Sequence, residues 1–102
     1  MIYRIVLSPD AESECQSALG WYALEDIELA LRFTAAIDAI LRRIAETPYA
    51  FPRVKNSTQR AVLKRFPYSV YFIVTVDLIR VISVLHHRRA ETHWQRRSNG
   101  YK

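Results

Sequence analysis

Two apolar runs, YSVYFIVTV at residues 68 to 76 and LIRVISVL at residues 78 to 85, are separated by the single residue Asp77. Both have the length of a strand and are rich in β-branched and aromatic side chains. In the first, Tyr71, Ile73 and Thr75 point one way, and Val70, Phe72 and Val74 the other. Asp77 is the expected centre of a tight turn between them. Neighbouring strands that are apolar on both faces belong in the middle of a sheet, so the rest of the chain has to flank and cover them.

The segments before this pair supply the cover. Met1 to Leu7 reads as a short strand, with Tyr3, Ile5 and Leu7 on one face. Ser8-Pro9-Asp10 marks a helix start: the serine accepts from orphan N–H groups, proline loses nothing at the first helical position, and Asp10 and Glu12 suit the positive end of the helix dipole. Ala11, Cys15, Ala18, Leu19 and Tyr22 then form an apolar stripe, with Glu14 and Ser17 outside it. Gly20 and Leu24-Glu25-Asp26 are expected to loosen or break this helix. A longer helix is expected from Ile27 to Ala45. Ile27, Leu31, Thr34, Ile37, Leu41 and Ile44 line one face, and Leu29, Phe33, Ala36 and Ile40 form a second apolar row. Pro48 and Pro52 stop it, with Tyr49-Ala50-Phe51 tucked into the corner. From Arg60 to Phe66 the period becomes two again. The order β-α-α-β-β-β makes this an α+β chain: an N-terminal strand, an α-helical hairpin, then a three-stranded antiparallel meander completing a four-stranded sheet. The 102 residues are expected to form one domain, 1–102, with a basic C-terminal tail at 88–102. With both helices on one face, apolar surface on the other is expected to stay open unless the tail or a second copy covers it.

Charge is divided unevenly. Residues 1 to 51 carry four Arg against eight acidic residues, a net −4; residues 52 to 102 carry eleven Lys or Arg against two, a net +9. The basic half calls for an anionic partner, either nucleic acid or an acidic protein segment. No stretch has the length of a membrane span, and residues 1 to 20 lack the pattern of a secretory signal. One cysteine, Cys15, excludes an internal disulfide. A cytoplasmic protein without membrane contact is expected.

Three constellations bear on chemistry. RNA cleavage at a 2′-hydroxyl needs a base, an acid and a cation for the phosphorane. His86, His87, Arg65 and Arg89, with Lys64 and Arg88 nearby, are of the right types. Adjacent residues on a strand point to opposite faces, however, so at most one of the two histidines joins a given site. A metal centre is not expected, because His86, His87 and His93 lack ligand spacing and no paired carboxylates support them. The third constellation is a docking tail, in which Arg88, Arg89, Trp94, Arg96 and Arg97 combine the residue types that dominate interfaces and grip phosphates. No cofactor motif is present.

The FPYSVYFIV stretch feeding VISVLHHRRAETHWQRR, together with the Ser8-Pro9 helix start and the Pro48 stop, resembles the RelE/ParE superfamily of toxins from type II toxin–antitoxin operons. The ending His86-x-Arg88-Arg89, then Trp94 and Arg97, is similar to the ParE-like branch. RelE-like members cut mRNA on the ribosome with an arginine in a Tyr-Arg-Leu-x-Tyr stretch. The matching residues here are Tyr68-Ser69-Val70-Tyr71-Phe72, and Ser69 has no fixed charge for a phosphorane. The resemblance therefore implies a ParE-like toxin that stops growth by poisoning DNA gyrase without catalysis of its own. The alternative is a RelE-like ribosome-dependent mRNA endonuclease. It also implies a cognate ParD-like antitoxin, whose acidic C-terminal segment folds along the toxin in a hetero-oligomer and whose other end binds the operator, so that direct DNA contact by the toxin is not required. Leu19, Tyr22, Leu29 and Phe33 are the expected groove contacts, with Arg65 and Arg80 for charge. Target engagement falls to Arg88, Arg89, Trp94, Arg96 and Arg97.

Overall fold

A computed structural model of the chain describes residues 2 to 89, the side chain of Arg89 excepted. Its elements are β1 (Arg4–Leu7), α1 (Pro9–Glu25), α2 (Ile27–Glu46), β2 (Arg53–Lys55), β3 (Thr58–Val62), β4 (Tyr68–Val74) and β5 (Leu78–His86), with single 3-10 turns at Pro48–Ala50 and His87–Arg89. The strands form one sheet in the order β1-β5-β4-β3-β2.

The expected fold class holds, with two differences in the sheet. There are five strands rather than four, because Arg53–Lys55 folds back on β3 through a turn in which Asn56 takes a φ of 52°. Three residues carry too little periodicity to announce a strand. The sheet is also mixed: β1 lies parallel to β5, pairing Arg4 with Leu78 through Leu7 with Val81, while the other pairs are antiparallel.

The helical hairpin has no loop. Asp26 caps both helices, donating its N–H to the Tyr22 carbonyl and accepting from Glu28 N at 2.9 Å. Helix α1 runs unbroken through Gly20, contrary to expectation. That residue is exposed, and a Cβ there would meet nothing within 4 Å, so a glycine in the last turns costs propensity without forcing a break. On α2 the buried face is Ala30, Phe33, Ile37, Ile40, Ile44 and Ala45. Ile27 and Leu31, expected on an apolar face, are 64% and 65% exposed; from their row Ile37 and Ile44, further along the helix, are buried beside Phe33 and Ile40.

The main core lies between the hairpin and the sheet, where Val70 and Phe72 of β4 meet Ile79, Val81 and Val84 of β5, Ala61 and Leu63, and the helical residues. Tyr71, Ile73, Ile82 and Leu85 form a second buried cluster on the far face, with Val54 packed against it. Of the two outcomes expected for the far face, open or covered, these residues show the covered one. In the corner, Phe51 packs edge-on to Phe72 at 6.0 Å, with the Arg43 guanidinium over its ring, whereas Tyr49 is 64% exposed. Buried Gln59 holds this corner, donating from Nε2 to the carbonyls of Pro48 (2.7 Å) and Phe51 (2.9 Å). Replacing it with leucine removes the donor for both carbonyls. Gln59→Leu is expected to lower unfolding free energy by about 2 kcal/mol, measured as the shift of the urea midpoint at unchanged slope.

Candidate functional site

Strand β5 is where the candidate residues gather, and its geometry changes halfway along. Tyr71 pairs with Ser83 but Phe72 pairs with Val81, which leaves Ile82 as an extra residue, a β-bulge. Before the bulge, Ile79 and Val81 face the helices; after it, Val84 does, while Ile82 and Leu85 join the far-face cluster. The bulge thus exchanges odd and even positions and turns His86 toward the helical side, its ring 5.3 Å from that of Tyr68.

Where β1 ends, α1 takes over the edge of β5. Ser8 N donates to the Val81 carbonyl at 2.9 Å, and Ser8 Oγ donates to the Ile82 carbonyl at 3.4 Å while accepting from Ala11 N. One and a half turns later, Glu14 Oε1 accepts from Val84 N at 2.9 Å. The residue left outside the apolar stripe is thereby tied to the sheet.

His86 sits at the rim of an aromatic group. Tyr22 lies 5.3 Å from Phe33, 5.1 Å from Phe66 and 6.3 Å from Tyr68, centroid to centroid. Burial, and then its neighbours Tyr68 and Glu25, push the Tyr22 hydroxyl above its ordinary pKa. His86 Nδ1 accepts from Arg88 N at 3.2 Å, so a neutral imidazole carries its proton on Nε2. His87 is exposed, with its backbone N–H donated to the Pro67 carbonyl at 2.9 Å. The two histidine rings are 6.5 Å apart. Arg88 is exposed; Trp94, Arg96 and Arg97 lie outside the described residues. Ser69 is 1% exposed and pairs with Val62 and Leu85, so its position offers neither charge nor access.

A groove opens between α2 and the end of β3. Its volume is about 610 Å³; Leu29, Ala36, Ile40, Leu63 and Phe66 supply apolar lining, and Arg32, Arg43, Lys64 and Arg65 supply four cations. Strand β2 pairs only with Thr58 and Gln59, and Arg60 N is taken by the Pro52 carbonyl. Beyond that point no strand among the described residues lies along the outer edge of β3, where Val62 is half exposed. From Thr47 to Val76 the sequence has five Lys or Arg and no acidic residue.

The expected antitoxin contacts divide over this surface. Leu29 and Arg65 line the groove, and Phe33 is buried beneath Phe66, 5.3 Å between ring centroids. Leu19 and Tyr22 are partly buried against the core from α1, and Arg80 alternates with Ile79 and Val81, on the far face. The sequence reading missed Ala36, Ile40 and Lys64 as groove lining, although the second apolar row of α2 contained the first two. Among the described residues, no helix is long and apolar enough to cross a membrane.

The two-helix hairpin over a five-stranded mixed sheet is a fold shared with a solved chain described as "Chromosomal ParDE TA system from P. aeruginosa", which superposes with a TM-score of 0.73 at 16% identity, covering 83% of this chain and 96% of that one. Residues 5–91 match the family described as ParE toxin of type II toxin–antitoxin system, parDE, and the chain belongs to that family. No curated protein matches it.

The one thiol is a poor nucleophile. Burial, then the charges of Glu14 and Glu12, push Cys15 up to about 11. Its thiolate is correspondingly scarce at neutral pH, so alkylation at pH 8 is expected to run about a hundredfold slower than for a free cysteine, with the rate climbing until about pH 11. A pH–rate profile with a small alkylating reagent checks this.

Proposed function

We propose that this ParE-family toxin stops growth by binding and poisoning DNA gyrase, and that a ParD-like antitoxin neutralises it in a cytoplasmic hetero-oligomer. The observation that carries the choice of target is Ser69: a buried, uncharged side chain stands where the mRNA-cleaving branch has its arginine. A phosphorane would find no preorganised cation there. His86 has Nδ1 engaged by the Arg88 N–H, and the His87 ring centroid is 6.5 Å from its own, which favours binding over paired acid–base work. Arg88, Arg89, Trp94, Arg96 and Arg97 are the proposed target-engaging residues.

The α2–β3 groove is the proposed antitoxin seat. An acidic amphipathic helix would lay its apolar face on Leu29, Ala36, Ile40 and Phe66 and its carboxylates toward Arg32, Arg43, Lys64 and Arg65. An extended continuation fits the outer edge of β3 at Val62. Leu19 and Tyr22 extend the contact onto α1, and Arg80 would meet any part that wraps to the far face.

The test incubates antitoxin-free protein with gyrase, supercoiled plasmid and ATP, with programmed ribosomes and labelled mRNA in parallel. Linear plasmid after detergent and protease, with intact mRNA, is expected. Cut mRNA with unaffected plasmid would replace the gyrase reading with an endonuclease, and His87→Ala should then cost at least about 10² in rate. Trp94→Ala with Arg97→Ala is expected to abolish growth arrest while antitoxin binding survives. Lys64→Glu with Arg65→Glu is expected to do the reverse, weakening antitoxin binding at least tenfold by calorimetry with toxicity retained.

A further inference from the structure

We infer that Glu14 is a positioning residue that selects the register of β5 and, through it, the face from which the target-engaging segment leaves the sheet. This rests on the reading of residues from Arg88 onward as that segment.

Successive backbone N–H groups along a strand point to opposite edges. In the observed register the N–H of Val84 points away from β4, past the end of β1, and meets the Glu14 carboxylate at 2.9 Å. Without the extra residue Ile82, Val84 would turn its N–H toward β4, and Glu14 would have no donor from Val84. The same change would put Leu85, not His86, opposite Tyr68 and turn His86 to the far face. A one-residue slip in a strand inverts every later side chain, so the chain would enter the turn after His86 from the opposite face.

Three local features agree with the bulged register. Ile82 and Leu85 pack together on the far face while Val84 packs with the helices, a grouping that only the bulge permits. His86, once turned inward, supplies the Nδ1 acceptor for Arg88 N and so shapes the turn after the strand. His87 N is then free to donate to the Pro67 carbonyl, which fixes the exit to the start of β4. Of the groups that border β5 beyond Val81, Ser8 offers a donor and a carbonyl contact at Ile82 that precede the change of phase. Glu14 is the side chain that reads the phase after it, from an element 70 residues away.

The experiment compares Glu14→Gln, whose amide oxygen can still accept; Glu14→Leu, which cannot; and Glu14→Asp, which keeps the charge but is one methylene too short. Amide exchange at Val84 and the cross-relaxation between the His86 and Tyr68 rings report the register; growth arrest reports the consequence. In Glu14→Leu and Glu14→Asp, Val84 exchange is expected to rise at least tenfold relative to Val70, with the His86–Tyr68 signal lost and growth arrest reduced at least tenfold. Glu14→Gln should restore all three. Should Glu14→Leu not fold, Glu14→Asp carries the comparison. Wild-type protection and ring contact in the folded Leu or Asp variant would overturn the proposal, as would full growth arrest in a variant that has lost the register. Wild-type protein that arrests growth but leaves plasmid intact would overturn the gyrase reading alone, since none of these three measurements depends on the target.

Discussion

The parallel contact between the first strand and the last is the constraint on which the rest of the molecule depends. It inserts β5 between β1 and β4, making the last described strand a central one. Because Ser8 follows Leu7 directly and caps α1, the helical hairpin is hung from the same joint. Parallel pairing needs a long crossover between its partners, and here α1, α2 and three strands all lie within it. The hairpin thus covers the sheet as a necessary part of closing the chain, and packing of Phe33, Ile40 and Ile44 against Val70 and Phe72 follows from that placement.

The two flanks of the hairpin differ in how the sheet is finished. On the α1 side, side chains substitute for a missing strand: Ser8 and Glu14 occupy the edge of β5 after β1 stops. On the α2 side no strand among the described residues pairs with β3 beyond Gln59, and the helix stands away from that edge with alanines and arginines along the gap. A protein with one closed and one open flank has a defined place for a second chain. Gln59, by tying the Pro48 and Phe51 carbonyls, keeps the short β2 from extending across that place.

How far all this was legible depended on whether the signal was local. Pro9, Pro48 and Asp77 mark real boundaries because each acts on its own backbone, and the alternation of Val70, Tyr71, Phe72 and Ile73 placed each of them on the correct face. The parallel partner of β1 was not legible, since pairing over more than 70 residues leaves no trace in spacing. Nor was the bulge: VISVLHH reads as a plain alternating strand, and only the Tyr71–Ser83 and Phe72–Val81 pairs reveal the extra residue. Glu14 looked like a solvent-facing position on the helical wheel. A wheel shows which way a side chain leaves the helix, and does not show that a strand edge lies within its reach. For the same reason both apolar rows of α2 were read as packed along their whole length, whereas Ile27 and Leu31 at its start are exposed.

The acid-free run from Thr47 to Val76 has a kinetic consequence. Lys64 and Arg65 from that run, facing Arg32 and Arg43 of α2, set up a positive potential ahead of the groove. An acidic chain approaching this protein would be drawn to that side from beyond contact distance and oriented before touching, so encounter would be fast in dilute salt and slow as ions screen the field. Speed of capture and tightness of grip are then supplied by different atoms: the charges at the rim govern arrival, and the apolar floor governs how long the visitor stays.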